Sequence, residues 1–375
     1  MNLLLQSITN LAKELVKVVL IPAVGLLAFI LRVAGFRLAY VDTTKLGHFF
    51  CDTHLFCCFL SEGKCRFKYI ISITNNSIKN LNYYLPENCR PIPSLFLSYI
   101  SGWYRNYPFI VENFTNSHTQ INDKFMGSEF YRPSQYSKLI QLYNSQPLLN
   151  KINKQKKLNI DGGYWVFHFR QPSLFNLDGE MNQKFRNSNI DVAEVIIKEI
   201  VKRGTQVVNL SEREIAIEGV INVRAEATFN ASSLIEYIGR ADVYIGDSSG
   251  PTVVAQMFNK PSLLFNIFPH SFFPKNPKSI VHYKIIKSNG RVIPFHEKFF
   301  KQINGLTLGQ ELIDLNVELG ALNKINARKL ISEYYLLLER QNYKKTRQTQ
   351  RYYSHNGMER QFGKLSEQNR NWDDF

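Results

Sequence analysis

In the carboxyl-terminal half of the chain, apolar runs typical of β-strands alternate with segments whose apolar residues have helical spacing. Short apolar runs at 164–169 (YWVFHF) and 262–266 (SLLFN) are typical of buried strands. Residues 190–203 instead carry apolar side chains at helical spacing and precede the helix-terminating Gly204. The same reasoning predicts strands at 206–210, 220–223 and 243–246 and helices at 232–239 and 250–258. This alternation predicts a doubly wound parallel sheet.

The amino-terminal half repeats this order in a shorter form. Strands are expected at 37–41 and 66–73, with an apolar, helical stretch at 49–60 between them. A helix is expected at 134–149, and the polar run 150–157 (NKINKQKK) is typical of a linker. The predicted domains are therefore 37–150 and 158–306, both α/β. Helices near 308–319 and 324–341 fill 307–342, and the basic, polar tail 343–375 is expected to be disordered.

An apolar run near the amino terminus predicts a membrane-associated segment over residues 1–36. Residues 18–31 (VVLIPAVGLLAFIL) contain no charge, but a spanning helix needs about 20 apolar residues. Pro22 and Gly25 would weaken a helix here. We favour a helix or helical hairpin that enters one leaflet; a spanning helix, a buried core helix and a cleaved signal peptide are the alternatives. Basic residues would lie at the headgroups: Lys13, Lys17, Arg32 and Arg37.

The net charge limits the classes of binding partner that are expected, and the cysteine content indicates the cellular compartment. The 46 Lys and Arg residues against 31 Asp and Glu give a net charge of +15. Such an excess favours phosphate-rich partners or an anionic membrane surface, although solubility alone could explain it. No nucleic-acid-binding motif is present, so nucleic acid is not an expected partner. The five cysteines all lie in the first quarter without zinc-site spacing, which favours a reducing, cytoplasmic setting.

The sharpest chemical motif is Gly-Asp-Ser-Ser-Gly-Pro at 246–251, between a predicted strand and a predicted helix. Small residues let a pyrophosphate approach the backbone, and the following helix offers free N–H groups. Ser248 and Ser249 could donate hydroxyls to phosphate oxygens, while Pro251 suits a first helical turn. The alternative is an ordinary capped helix, in which Asp247 or a serine is the cap and Gly250 marks the turn.

Two more polar segments are candidates for the same site. His168 and Arg170 end the strand 164–169 on one face, and a guanidinium there could bind a diphosphate bidentately. The alternative is a solvated strand end with a satisfied histidine. Arg186 and Asn187 precede the helix at 190 and either point into the cleft or belong to a capping segment, in which Ser188 or Asn189 is the cap.

A weaker candidate follows the first strand of the amino-terminal domain. Lys45, Gly47 and His48 lie at a predicted strand–helix turn, where an imidazole could act as general base on an acceptor hydroxyl. The pair Gly47-His48 alone could equally be a turn. The sequence contains no Walker loop, no HExxH motif and no Asp-x-Asp, so neither a metal nor a cofactor is implied.

Four segments together resemble a bacterial family of glycosyltransferases of the two-lobed GT-B type, most of which have no defined reaction. They are KLGHFFCDTHLF (45–56), HFR (168–170), RNSNI (186–190) and GDSSGPTVVAQMFNKP (246–261). The last is also similar to the donor-site loop of heptosyltransferases, in which Asp-x-Gly-Pro precedes a helix. Lys45 stands where the family pattern has arginine, and the strand end 209–212 (NLSE) is atypical.

The resemblance implies two Rossmann-like lobes and an inverting, metal-independent transfer from a nucleotide sugar to a cell-surface glycan precursor or lipid-linked acceptor. It places Gly47 and His48 on the acceptor side. On the side of the nucleotide sugar it places Arg170, Arg186, Asn187, Asp247, Ser248, Ser249 and Gly250. The expected location is the cytoplasmic face of the inner membrane, peripheral or monotopic. A non-catalytic scaffold on a degenerate fold and a sugar-nucleotide epimerase are the alternatives.

Overall fold

The computed structural model of the chain describes residues 2–40, 53–54, 68–72, 83–87, 89–92, 94–104, 107, 110–113, 145–154, 160, 162–170, 187–224, 229–268, 274, 276–293, 309–339 and 364–365. The chain divides into two units, Met1–Ile121 and Asn122–Phe375. The domain bounds inferred from the sequence stay a prediction.

The first unit is a four-stranded parallel sheet with two described helices. Its elements are α1 (Asn2–Val33), β1 (Phe36–Tyr40), β2 (Lys68–Ser72), β3 (Cys89–Ile92), α2 (Leu95–Trp103) and β4 (Val111–Asn113). The strand order is β3-β2-β1-β4, and all neighbours are parallel. The predicted parallel α/β arrangement is confirmed here.

Helix α1 is one continuous helix of 32 residues with Pro22 inside it, so the hairpin alternative is wrong. Val24 and Ala28, one turn apart, are buried against a core that includes Leu38 of β1 and Ile100 of α2. The stretch Glu14–Val33 is long and apolar enough to cross a membrane by length and composition, with a mean hydropathy of 2.3. Only 11% of that window is buried, which contradicts the buried core helix.

The second unit carries a seven-stranded parallel sheet. Its strands are β5 (Trp165–His168), β6 (Val207–Asn209), β7 (Val220–Asn222), β8 (Val243–Gly246), β9 (Ser262–Ile267), β10 (Ile280–Tyr283) and β14 (Lys364–Leu365). The spatial order is β14-β10-β9-β8-β5-β6-β7. When β5 to β10 are counted from one, they follow the order 3-2-1-4-5-6 of doubly wound sheets. The predicted fold class is confirmed: α/β with parallel sheets and an amino-terminal apolar helix.

Helices cover this sheet because its strands are apolar on both faces. The helices are α3 (Gln146–Asn153), α4 (Ile190–Val201), α5 (Ala231–Arg240), α6 (Gly250–Met257), α7 (Gly309–Asp314) and α8 (Lys324–Glu339). Helices α4 and α8 share one core with Trp165, Phe167 and Phe265. Tyr244 of β8 reaches Thr252 of α6 through its hydroxyl, at 3.0 Å. The alternating residues of the strands therefore point to two different helical layers.

Two sequence-based elements need correction. The helix expected at 308–319 ends at Asp314 and is followed by a strand, β13 (Val317–Gly320), because Asn316 adopts a left-handed φ of 51° that ends the helix. This strand pairs antiparallel with β11 (Ile285–Ser288), which also pairs with β12 (Arg291–Val292). Helix α3 continues through Asn153, into residues that the sequence assigned to a linker. Its residue Ile152 is buried against Gly239 of α5.

Candidate functional site

The candidate site lies at the carboxyl edge of the seven-stranded sheet, between β5 and β8. The strand order reverses at this point, since β6 follows β5 on one side and β8 lies on the other. His168 at the end of β5 is paired in register with Gly246 at the end of β8. In open α/β sheets, ligands bind outside the carboxyl ends of the strands where the order reverses. Two of the motifs found in the sequence therefore meet where this fold places its ligands.

Asp247 connects these two strand ends. Its side chain is fully buried, and Oδ2 accepts a hydrogen bond of 2.8 Å from the backbone N–H of Arg170. Its backbone carbonyl accepts from the hydroxyl of Thr252 in the first turn of α6. The aspartate thus fixes the backbone of Arg170 and the start of the helix at the same time.

His168 and Ser249 form a second connection between β5 and the start of α6. Ser249 Oγ lies 3.1 Å from His168 Nδ1 and 3.1 Å from Thr252 Oγ1. Burial, with the charges of Arg224 and Arg170, lowers the pKa of His168 to about 3. The imidazole is therefore neutral near pH 7 and contributes no positive charge to this edge.

The start of α6 is arranged differently from an ordinary capped helix. Ser249 is the N-cap residue by backbone conformation, but its side chain makes no capping hydrogen bond, because the hydroxyl is held by His168 and Thr252. The first-turn N–H groups consequently lack the side-chain acceptor that a cap residue supplies. Gly250 remains partly exposed at this turn, and Pro251 follows in the first helical turn. This geometry leaves a helix amino terminus able to accept an anion.

The segment before α4 reaches the same point from the other side. Ser188 N–H donates to the carbonyl of Arg170 at 3.3 Å, and Asn189 caps α4 by accepting from Asp191 N–H. The backbone of Arg170 is thereby held between Asp247 and this segment, while its side chain stays partly exposed. Arg170 is therefore hydrogen-bonded both to Ser188 and to Asp247, which lies 77 residues further along the chain.

Lys284 is a further residue of this edge that the sequence reasoning missed. Its side chain is 4% exposed, and Nζ donates to the carbonyl of Asn187 at 3.0 Å. Burial lowers its pKa to about 8, while the negative charge of Asp247 acts in the opposite direction. The ammonium therefore remains mostly charged at pH 7. A lysine directly after the apolar strand 280–283 was the available signal, because that strand ends at the same edge.

Arg224, which was also missed, follows β7 at this edge. Its guanidinium pairs with Glu212 at 3.1 Å and lies over the ring of Phe229. The positive charge of Arg224 helps to lower the pKa of His168, so it acts at the centre of the site. The edge therefore combines three cationic side chains, Arg170, Arg224 and Lys284.

The atypical strand end at 209–212 has a structural role. Asn209 Nδ2 donates to Asn222 Oδ1 and to the carbonyl of Arg213, both at 2.8 Å. Ser211 Oγ accepts from Phe169 N–H at 3.0 Å. These hydrogen bonds tie the ends of β5, β6 and β7 together, so the unusual sequence supports the backbone on which the site is built.

The remaining predicted residues divide into two groups. Ser248 is fully buried, and its hydroxyl accepts from Phe268 N–H at 2.8 Å after β9. Its hydroxyl is therefore directed into the sheet edge. Lys45, Gly47, His48 and Arg186 lie outside the described residues, so their proposed roles stay predictions. Within the described part of the chain, no three His, Cys, Asp or Glu residues are grouped as a metal site.

Comparison with known proteins gives distant structural similarity. No family model matches the chain, and no curated protein is significantly similar to it in sequence. Among solved structures, the E. coli ADP-heptose LPS heptosyltransferase II aligns with a TM-score of 0.45 and 12% identity over 81% of this chain and 98% of its own.

Two more solved structures align to a similar degree. A glycosyl transferase family 9 protein from Veillonella parvula gives a TM-score of 0.43 and 13% identity over 81% and 97% of the two chains. The iron-containing dodecameric glycosyltransferase TibC from enterotoxigenic E. coli gives 0.41 and 12% over 81% and 77%. Similarity of this degree assigns neither a family nor an activity, and the case for function rests on the site itself.

Proposed function

We propose that this protein is a glycosyltransferase whose nucleotide-sugar substrate binds at the carboxyl edge between β5 and β8. One observation carries the proposal: Asp247, just before α6, and Ser188, just before α4, both hold the backbone of Arg170 after β5, at the point where the strand order reverses. Doubly wound sheets bind nucleotides at this point, and the loop at 246–251 has the small residues that such binding needs.

The charges of the edge suit a diphosphate. Transfer of the sugar leaves a nucleoside diphosphate, whose developing negative charge must be stabilised. Arg170, the first-turn N–H groups of α6 and the buried ammonium of Lys284 supply that stabilisation in our proposal. These groups would do the work that a metal ion does in other transferases, so we propose a metal-independent reaction.

The acceptor side of the proposal depends on the resemblance found in the sequence. An inverting transfer needs one general base to deprotonate the acceptor hydroxyl as it attacks the anomeric carbon. We assign this role to His48, with Lys45 and Gly47 beside it. The acceptor is proposed to be a cell-surface glycan precursor or a lipid-linked molecule. A location at the cytoplasmic face of the inner membrane fits the apolar helix α1 and the net charge of +15.

Calorimetric titration of the full-length protein with UDP, GDP, CDP and ADP tests the proposal. At least one of these nucleotides should bind, and Arg170→Ala should weaken that binding by roughly 10- to 100-fold, since a charge-assisted contact contributes about 1.5–3 kcal/mol. Arg203→Ala is the matched control. Arg203 stacks on Tyr335 and lies in the turn before β6, at the opposite edge of the sheet, so its removal should leave nucleotide affinity unchanged.

Three outcomes would contradict the proposal. Wild-type affinity in Arg170→Ala would remove the nucleotide site from this edge. Binding of none of the nucleotides or their sugar conjugates would favour the non-catalytic scaffold. Conversion of a nucleotide sugar without any acceptor present would indicate an epimerase instead.

A further inference from the structure

The two sides of helix α1 have different surroundings. Val24 and Ala28 face the core of the first unit, whereas several large apolar side chains between Leu15 and Val33 are in contact with solvent. Leu26 and Phe29, for example, are 61% and 64% exposed. A continuous exposed apolar surface of this length is unfavourable in water and marks an interaction site.

A groove separates α1 from α2 next to this exposed surface. Its volume is 480 Å³, within the range of about 300–1,000 Å³ that is usual for small-molecule sites. Leu20, Ala23 and Leu27 line it from α1, and Phe96 and Trp103 line it from α2. Phe96 is 67% exposed at its rim, so the groove opens towards the outside.

The groove offers no polar group to a ligand. Only two of its lining residues carry a polar side-chain atom, Trp103 and Tyr104, and the Tyr104 hydroxyl donates to the carbonyl of Lys17 at 2.6 Å. Only the ring of Tyr104 is therefore left for the lining. A ligand that fits must be purely apolar along the groove, which excludes a nucleotide, a sugar or a peptide backbone that needs hydrogen-bond partners.

We propose that the groove between α1 and α2 binds one hydrocarbon chain of a membrane lipid while the exposed side of α1 lies in the same leaflet. The groove and the exposed side are continuous through Leu20, which belongs to both. Arg32 lies in the last turn of α1, where an anionic headgroup could meet its cation, and Lys17, which pairs with Glu14 at 2.5 Å, lies at the other end of the apolar stretch.

This arrangement explains why α1 is both apolar and attached to the sheet. A helix that only crossed a bilayer would need no groove beside it, and a core helix would not expose Leu26 and Phe29. A helix in the interface buries its apolar side among the acyl chains. A chain held in the groove would fix the first unit against the membrane. The inference does not depend on the proposed nucleotide site.

Quenching of Trp103 by lipids with brominated acyl chains tests the proposal. The full-length protein would be reconstituted in vesicles of phosphatidylglycerol and phosphatidylcholine, with and without bromine on the chains. A Trp103→Phe variant gives the background from Trp165 and Trp372, so the difference reports Trp103 alone. We expect brominated chains to quench Trp103, and Ala23→Phe, which fills the groove, to remove most of that quenching.

Leu26→Phe is the matched control, because Leu26 lies on the exposed side of α1 but not in the groove. It should keep wild-type quenching, and circular dichroism should show both variants with unchanged helix content. Equal quenching in Ala23→Phe and Leu26→Phe would overturn the proposal, since Trp103 would then merely be immersed in lipid. No quenching in the unsubstituted protein would overturn it as well, whether a second copy or another part of the chain covers the groove. Neither result affects nucleotide binding.

Discussion

The edge between β5 and β8 buries polar groups, whereas the groove between α1 and α2 exposes apolar groups. At the edge, polar groups such as Asp247 and Lys284 are buried, and hydrogen bonds to backbone groups hold them. At the groove, apolar groups such as Leu20 and Phe96 are exposed. A buried polar group needs partners inside the protein, whereas an exposed apolar group needs them outside it. The edge therefore holds its buried polar groups by internal hydrogen bonds and leaves the start of α6 without a side-chain cap, whereas the groove implies an apolar partner.

The largest expected effect tests whether the exposed side of α1 contacts a membrane. Replacement of Leu26 and Phe29 together by aspartate should lower partition into anionic vesicles about a thousandfold, since two charges in the interface cost roughly 4 kcal/mol. Stability should hardly change because both side chains are exposed. Vesicle co-sedimentation measures the effect. Ile325→Asp with Leu336→Asp, on exposed positions of α8, is the matched control and should bind vesicles normally. Equal partition of both double variants would contradict the assignment.

The next effect tests the contacts that Asp247 makes inside the protein. Asp247→Ala leaves the N–H of Arg170 without its acceptor and removes the negative charge near Lys284. The free energy of unfolding of the second unit should fall by about 3 kcal/mol. Urea denaturation followed by the fluorescence of Trp165, which is packed in the core of that unit, measures it. Asp247→Asn keeps an acceptor oxygen and should lose clearly less; equal losses would show that the hydrogen bond contributes nothing.

A smaller effect compares one glycine in each unit. A Cβ on Gly246 would lie 2.7 Å from ring carbons of Tyr244, whose hydroxyl contacts Thr252. Gly246→Ala should therefore destabilise the protein by about 2 kcal/mol, because the ring must move. Gly102→Ala would place its Cβ 3.7 Å from Tyr40, an ordinary contact in a helix, and should be neutral or stabilising. Thermal unfolding would measure both, and similar melting temperatures would refute the difference.

The smallest effect concerns the pH dependence of stability. The pKa of His168 is about 3 and that of His282 about 4 in the folded chain, both because of burial, against about 6.5 in the unfolded chain. The unfolded state thus binds more protons between these values. Stability is full above pH 6.5 and is lost as the pH falls towards 3.

Each histidine should remove about 1 kcal/mol of stability between pH 7 and 5.5. His168→Asn can still hydrogen-bond Ser249. This variant should roughly halve the combined loss of stability from the two histidines, because His282 continues to titrate. Urea denaturation at the two pH values measures the slope. A variant with the unchanged wild-type slope would show that His168 titrates normally in the folded protein.

The sequence by itself determined the strands and helices of the second unit from β5 to β9 and the motif residues of its edge, but not Lys284 or Arg224. Strong apolar runs placed β5, β8 and β9, and the glycine and proline of the loop at 246–251 fixed where α6 begins. These features are local: they depend on side-chain periodicity and on turn chemistry within a few residues. The apolar character of α1 could be anticipated for the same reason, but its length could not, because Pro22 and Gly25 predicted a weakened helix whereas 32 residues form one continuous helix.

Only the tertiary structure decided what brings distant residues together. Lys284 became part of the edge because β10 is parallel to β9, and β13 replaced the end of a predicted helix because it pairs with β11. The burial of Ser248 and the groove beside α1 depend likewise on packing partners far away in the chain. Local sequence does not encode such contacts, because pairing and burial are properties of two segments at once, and the free energy of each is gained only when both are in place.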